Sequence, residues 1–333
     1  VIPGNPPVAK FSKAYQIVNA TPTQTPPITT ATTIPLPNPN LTYGNAPTVS
    51  GKPTGGGYGY SDIIHEGDPR ITTTVSTKSA FLSAVANAKA GNVIFVTGNS
   101  KIDLTGTDPV TIPAGVTIAS DRGYQGSSGA LINRTLNKNG GWEEPMFRAS
   151  SNTRFTGLHL QGEMFIQDWG NDDVYVPSTH EQYYLVGILA RDVSNVVIDN
   201  NELEGWAWAS VVSWNAVNTK VFCNYIHHNQ ARGEGYGVNL YGGNALIQYN
   251  KFNYNRHDVT GGGYAGEAYE VSYNDIVGNG TAIGASHIDV HENEQTMDGT
   301  AGRLYKIHHD TVGYGQVATV HIRGIPTEQC YIW

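Results

Sequence analysis

The residues best suited to chemistry in this 333-residue chain gather toward its C-terminal end. His287, Asp289 and His291 stand two apart, and His321 and Arg323 repeat that alternation further along. Asp258 and Thr260 come before them with the same spacing, as do Asn239 and Tyr241, and, earlier still, Ser213 and Asn215. Alternation sends every second side chain to one face of a β-strand. Apolar Val259, Ile288, Val290, Val320 and Ile322 then take the inward face. If such strands stack about 4.8 Å apart, three imidazoles, two carboxylates and a guanidinium share one outward, solvent-facing stripe.

Two chemistries fit this stripe. His287, Asp289 and His291 offer a transition metal two imidazoles and a carboxylate, although alternate strand positions stand about 6.5–7 Å apart and must converge. Alternatively the group works by proton transfer on an acidic polysaccharide. In β-elimination, His287 or His291 is the base, Arg323 offsets the sugar carboxylate, and His321 protonates the leaving oxygen. Hydrolysis needs two carboxylates instead, and Asp258 with Asp289 is the candidate pair. The competing reading is a hydrogen-bonded, solvated strand face without catalytic work.

Substrate contacts are expected from Asn239, Tyr241, His257 and Trp214, because aromatic faces and amides suit sugar rings. Trp206, Trp208 and Tyr236 belong to the same aromatic set, as do Trp169, Tyr175, Tyr183 and Tyr184 with Asp168, Asp172 and Asp173 in the excursion Gln161–Leu185. That aspartate group suits calcium by ligand type, although its spacing is not that of an EF-hand loop. Calcium, a transition metal and no cofactor are equally compatible with the sequence. The glycine run from Gly261 to Gly266 lacks the Lys-Ser/Thr of a phosphate cradle and reads as a flexible rim. His227-His228-Asn229 and His308-His309-Asp310 read as turn residues with a structural role.

The element that must position these groups is a repeat. Asn201-Glu202-Leu203, Asn224-Tyr225-Ile226, Asn250-Lys251-Phe252 and Asn274-Asp275-Ile276 each follow an alternating strand, at spacings of 23, 26 and 24 residues. His309-Asp310-Thr311-Val312 continues the series. Spacings of this size suit one coil of a stacked solenoid, and exceed the roughly 8–12 residues between the strands of a sandwich. Stacked coils put each Asn above the last, where the amides bond one another and the turn backbone. Ser76–Ala90 reads as the one clear helix, with Phe81, Leu82, Val85 and Ala88 on one face and Gly91 closing it. Short strands follow at Val93–Thr97, Lys101–Leu104, Val110–Ile112 and Val116–Ala119.

The helix, these strands, Ile112-Pro113-Ala114-Gly115-Val116-Thr117-Ile118-Ala119-Ser120 and the coil series together resemble the pectate-lyase-like right-handed parallel β-helix superfamily. The resemblance spans roughly Thr72 to Trp333. It implies an all-β solenoid whose N-terminal end is capped by the helix. It implies no single activity, because such coils carry lyases, hydrolases, epimerases and adhesins. No residues here match the calcium-binding carboxylates or the basic catalytic residue of pectate lyases.

Composition bounds the rest. Only 14% of residues are charged, with 39 Gly and 19 Tyr, which excludes a helical bundle. A net charge of -8 and the absence of a basic, aromatic-interleaved stretch argue against nucleic acid. No apolar run reaches the roughly 20 residues of a membrane-spanning helix. Cys223 and Cys330 are expected unpaired. Residues 1–59 form a Pro/Thr-rich extended arm that acts as a spacer or strap, and 60–333 form the coil domain. An initial Val with no charged and apolar leader fits a processed, extracellular or cell-surface chain, in which the sequons at Asn19, Asn40, Asn133 and Asn279 would matter. The strand at Cys330–Trp333 leaves a coil edge open, so more coils, another domain or a partner is expected to cover it, self-association through that end or the arm being one such partnership. The alternative function is a non-enzymatic surface-layer or filament-forming rod.

Overall fold

The computed structural model describes residues 53–135, 144–163, 185–231, 233–276, 286–313 and 318–333. These form three parallel sheets, one of ten strands and two of eight. From the strand Val93–Val96 onward sequence neighbours fall in different sheets, and strands one coil apart pair in register, which is the expected parallel β-helix. The ten-stranded sheet runs from Thr73–Val75 to Gln329–Ile332. The second sheet, called here the site sheet, runs from Val110–Ile112 to Val320–Ile322, and the third from Lys101–Asp103 to Thr311–Val312.

Apolar rows hold the tube together. Ile118, Phe155, Ile198, Val221, Ile247 and Val271 stack in consecutive register, every one with no exposed surface. β-branched side chains suit such a pleated, fully buried surface, and each burial contributes about 1.5–3 kcal/mol. The asparagine ladder forms as the repeat predicted. The Asn201 and Asn224 amides donate to Asn224 and Asn250 at 3.1 and 3.0 Å, Asn250 donates to Asn274 at 3.1 Å, and Asn274 donates to Asp310 at 2.9 Å. The residue before each ladder position turns the chain with positive φ, from Asn200 and Cys223 through Tyr249 and Tyr273 to His309.

The helix spans Lys78–Asn87, with Thr77 as its N-cap accepting from the Ala80 amide at 3.3 Å. It ends at Ala88 rather than at Gly91, which serves as a left-handed turn residue beyond it. Phe81 and Val85 drive into the end of the tube, Phe81 edge-on to Phe147 with centroids 6.1 Å apart. Phe81→Ala should therefore cost about 3 kcal/mol by the cavity left over the first coils, read as a shifted midpoint in urea unfolding.

Residues 53–59, the described part of the expected arm, lie across the ladder turns. Gly55 donates to the Tyr249 carbonyl at 2.8 Å, Arg122 reaches the Gly55 carbonyl at 2.9 Å, and Gly57 donates to Asn200 Oδ1 at 2.7 Å. Gly56 allows this approach: its φ is +67°, and a Cβ there would sit 2.2 Å from the Cys223 carbonyl. The remainder of the arm, two of whose sequons were noted, lies outside the described residues. Cys223 and Cys330 are not joined to each other by a disulfide. No helix among the described residues is long and apolar enough to cross a membrane.

Candidate functional site

Register on the site sheet decides which side chains leave the tube together. Leu189, Val212, Asn239, Thr260, Asp289 and His321 form one outward row. Arg191, Trp214 and Tyr241 begin a second outward row, in which His291 and Arg323 take the corresponding positions two residues beyond Asp289 and His321. Val259, Ile288 and Val290 face inward, as the alternation predicted. Ser213 does not join the stripe as expected, because it pairs with inward Leu240; Val212 and Trp214 hold the outward positions.

The stripe is outward, but only its His321 and Arg323 end is well exposed, which corrects the expectation of a solvent-facing stripe throughout. Asp289 has no exposed surface, Asp258 and Thr260 only 1% and 2%, and His287 7%. Long polar side chains from the next coils cover them. Arg323 donates through Nε to Asp289 Oδ1 at 3.0 Å and through Nη2 to Oδ2. His291 Nε2 lies 3.2 Å from Oδ2 and His321 Nδ1 3.3 Å from Oδ1. His257, buried beneath them, places Nε2 3.6 Å from Oδ2. A buried carboxylate is thus ringed by a guanidinium and three imidazoles, the arrangement that makes burying a charge tolerable.

The electrostatic consequences differ around this ring. Burial opposes ionisation of Asp289, but the bonds from His291 and Arg323 outweigh it and hold the carboxyl well below the usual range. Burial also works against the His291 imidazolium, yet bonds to Asp289 and Glu294 push it up to about 9. His257 goes the other way: burial, aided by Arg256, holds it down to about 4. At neutral pH the ring thus presents two cations, Arg323 and His291, on one fixed anion. Because the folded His291 value is raised, its stabilisation is full below about pH 6.5 and is lost as pH climbs toward 9. Calorimetric melting between pH 6.5 and 9 should show that loss, and His291→Gln should flatten it.

A second unit lies one coil back. His287 Nδ1 meets Asp258 Oδ2 at 2.6 Å, and Asn255 donates to Asp258 Oδ1 at 2.8 Å. Asn255 itself receives the Asn229 amide at 2.7 Å, so a second short asparagine stack orients the Asp258–His287 pair. With Nδ1–H given to Asp258, the acceptor lone pair of His287 lies on Nε2. Asp258 and Asp289, the candidate hydrolytic pair, are both committed to bonds within the protein.

Aromatic groups lie further back along the second outward row. Trp214 packs on Tyr241 with centroids 4.7 Å apart, Arg191 sits 4.2 Å over Trp214, and Tyr241 lies 5.3 Å from Tyr264. Asn239 is buried two residues before Tyr241 on the same outward face, and its amide nitrogen has no hydrogen-bond partner among the described residues. Gly261 ends the strand His257–Gly261, and a Cβ there would strike Glu267 Oε1 at 2.2 Å, so this part of the glycine run is packed and not a loose rim. The excursion residues Trp169, Tyr175, Tyr183, Tyr184, Asp168, Asp172 and Asp173 lie outside the described residues.

Sequence reading missed two carboxyls here. Glu294 bonds His291 from three residues on, a spacing that could have been noticed beside the histidine. Glu234 is pushed up to about 7 by burial, with Glu294 adding to the effect and Arg256 opposing it. Gly233-Glu234-Gly235 carries no periodic signal that would have marked it. As metal ligands, His287, Asp289 and His291 do not converge. Among the described residues, the groups whose ligand atoms lie within 4.8 Å of one another are Glu204, His227 and His228, and His159, Glu202 and Glu204.

No protein-family model matches the chain. No curated protein matches it either. Among solved structures, an alginate lyase from Paenibacillus sp. str. FPU-7 is similar over 76% of this chain and 99% of its own, with 12% identity and a TM-score of 0.44. The Dettilon tailspike protein is similar over 68% of this chain and 46% of its own, with 11% identity and a TM-score of 0.39. The fold assignment here rests on the strand register, not on either likeness.

Proposed function

We propose that this chain is an extracellular, carbohydrate-active β-helix that cleaves an acidic polysaccharide by β-elimination on the outer face of the site sheet. One observation carries the reading: buried Asp289 fixes a 40%-exposed Arg323 and the His291 imidazole side by side, on the outward row that Trp214 and Tyr241 begin two to three coils before His291. Fixed cations suit a uronate carboxylate and the charge that builds on it, and aromatic faces suit the sugar's C–H surface.

The roles follow from placement, with His321 and His291 exchanging the parts expected from sequence. Arg323 holds the carboxylate. His321, 48% exposed and held at Asp289, takes the proton beside that carboxylate. The electron pair forms the C4=C5 double bond, the C4–O bond breaks, and His291, kept protonated, returns a proton to the leaving oxygen. His287, oriented by Asp258, is the alternative base. His257 supports the ring from beneath rather than touching sugar, and Asn239 lies two coils before Asp289 in the same row. The test is incubation with a panel of acidic and neutral polysaccharides, following both unsaturated-product absorbance and reducing ends. A rise in both supports elimination, reducing ends alone mean hydrolysis, and silence across the panel removes the enzymatic reading.

A further inference from the structure

On the third sheet, outside the residues assigned to catalysis above, a different set of side chains meets. Register places Gln161, Glu204, His227 and Asn253 in one outward row and His159, Glu202 and Tyr225 in the other. His228 follows at the turn with φ +59°, which swings its ring back beside its neighbour. His227 Nδ1 and His228 Nδ1 face each other in direct contact, and His227 Nδ1 lies 3.6 Å from Glu204 Oε2. We propose that Glu204, His227 and His228 bind one divalent transition-metal ion of the zinc class, through Oε2 and the two Nδ1 atoms.

The surrounding bonds prepare these atoms as ligands. His227 Nε2 lies 3.2 Å from Glu202 Oε1, so the ring proton sits on Nε2 and the Nδ1 lone pair points inward. Glu204 Oε1 is taken by His159 Nε2 and by the Gln161 amide, both at 2.7 Å, which leaves Oε2 to face the imidazoles. Glu202 is in turn 3.9 Å from the buried Arg122 guanidinium. His227 is 4% exposed, so its ring cannot turn to water, while the half-buried His228 stacks on Tyr254 at 4.9 Å.

The donor set selects the ion. Two imidazoles and one carboxylate suit zinc, cobalt, nickel or copper, whereas calcium and magnesium prefer all-oxygen shells. Ligand bonds of about 2.0–2.1 Å separate tetrahedral donor atoms by about 3.3 Å; His227 Nδ1 and Glu204 Oε2, 3.6 Å apart, are near that spacing, whereas the two Nδ1 atoms, now in direct contact, must turn apart to share the ion. Three protein ligands leave a fourth position for water. The ion would join the coil of Glu204 to the next, and its presence is independent of the activity proposed at Arg323.

The test uses the full chain after chelator treatment and dialysis, titrated with Zn²⁺ alone by calorimetry and with Co²⁺ alone by visible absorption. One equivalent should bind, Co²⁺ should give the intense bands of a four-coordinate site, and Zn²⁺ should raise the melting temperature. His228→Asn keeps a residue that tolerates positive φ, and Glu204→Gln keeps the shape; each should weaken binding by about 100-fold or more. Glu202→Gln, which removes the carboxylate behind His227 together with its Arg122 ion pair but none of the proposed ligands, should weaken it about tenfold. Absence of Zn²⁺ and Co²⁺ binding to the unaltered chain overturns the proposal, as does unchanged affinity in His228→Asn with its metal-free melting preserved.

Discussion

Arg323→Ala should lower the turnover of a uronate polysaccharide about a thousandfold, the scale on which removing one preorganised charge partner of a transition state acts. The argument is geometric. Arg323 is anchored at both Nε and Nη2 by Asp289, so its guanidinium is placed before substrate arrives. Loss of the cation leaves the charge that develops beside the scissile bond without a partner, and kcat should fall more than KM rises. Stability should drop by only about 1–2 kcal/mol, because Asp289 keeps His291 and His321. Asp289→Asn should impair both properties, since it frees Arg323 and leaves cations facing a neutral amide. Cleavage by Arg323→Ala at the rate of the unaltered chain would sink the proposed site.

Asn224→Ala should be the most destabilising single change in the fold, at about 4 kcal/mol. The Asn224 amide donates to the carbonyls of Ile198 and Phe222 at 2.9 and 3.1 Å and to Asn250 Oδ1 at 3.0 Å. Its own oxygen accepts the backbone and side-chain N–H groups of Asn201 at 2.9 and 3.1 Å. Truncation strands several fully buried donors and acceptors at once, each costing about 1–3 kcal/mol before partial relaxation. Asn195 provides the control. It sits in an exposed ladder, donating to Asn152 at 2.9 Å and accepting from Asn218 at 2.7 Å, where water replaces whatever is lost. Asn195→Ala should stay within about 0.5 kcal/mol. Equal effects of the two changes in denaturant unfolding would refute this account of the ladder.

The coil was legible because its signals are local and repeated. A strand, an Asn after a turn residue and an apolar partner recur each coil, and period-two alternation sorted Ile288 and Val290 from Asp289 without knowledge of their neighbours. Ser213 shows the limit. Its strand alternates in either sense, and only pairing with Leu240 shows that it turns inward. The same limit applied to burial, since parity separates inside from outside the tube but says nothing about what lies over an outward side chain. Asp289 became a buried anion only because Arg323, 34 residues later, folds back over it.

The sequence by itself therefore determined the stacked coil, its asparagine spine and the candidate stripe, because each depends on spacings within one or two coils. Tertiary structure decided which polar groups meet and in what charge state. Glu204 touches His159 from 45 residues away and faces His227 on the following coil, although His227 and His228 read from sequence as turn residues. Such meetings depend on register between coils of unequal length and on side-chain directions at positive-φ turns, and neither quantity is carried by any local pattern of residue types.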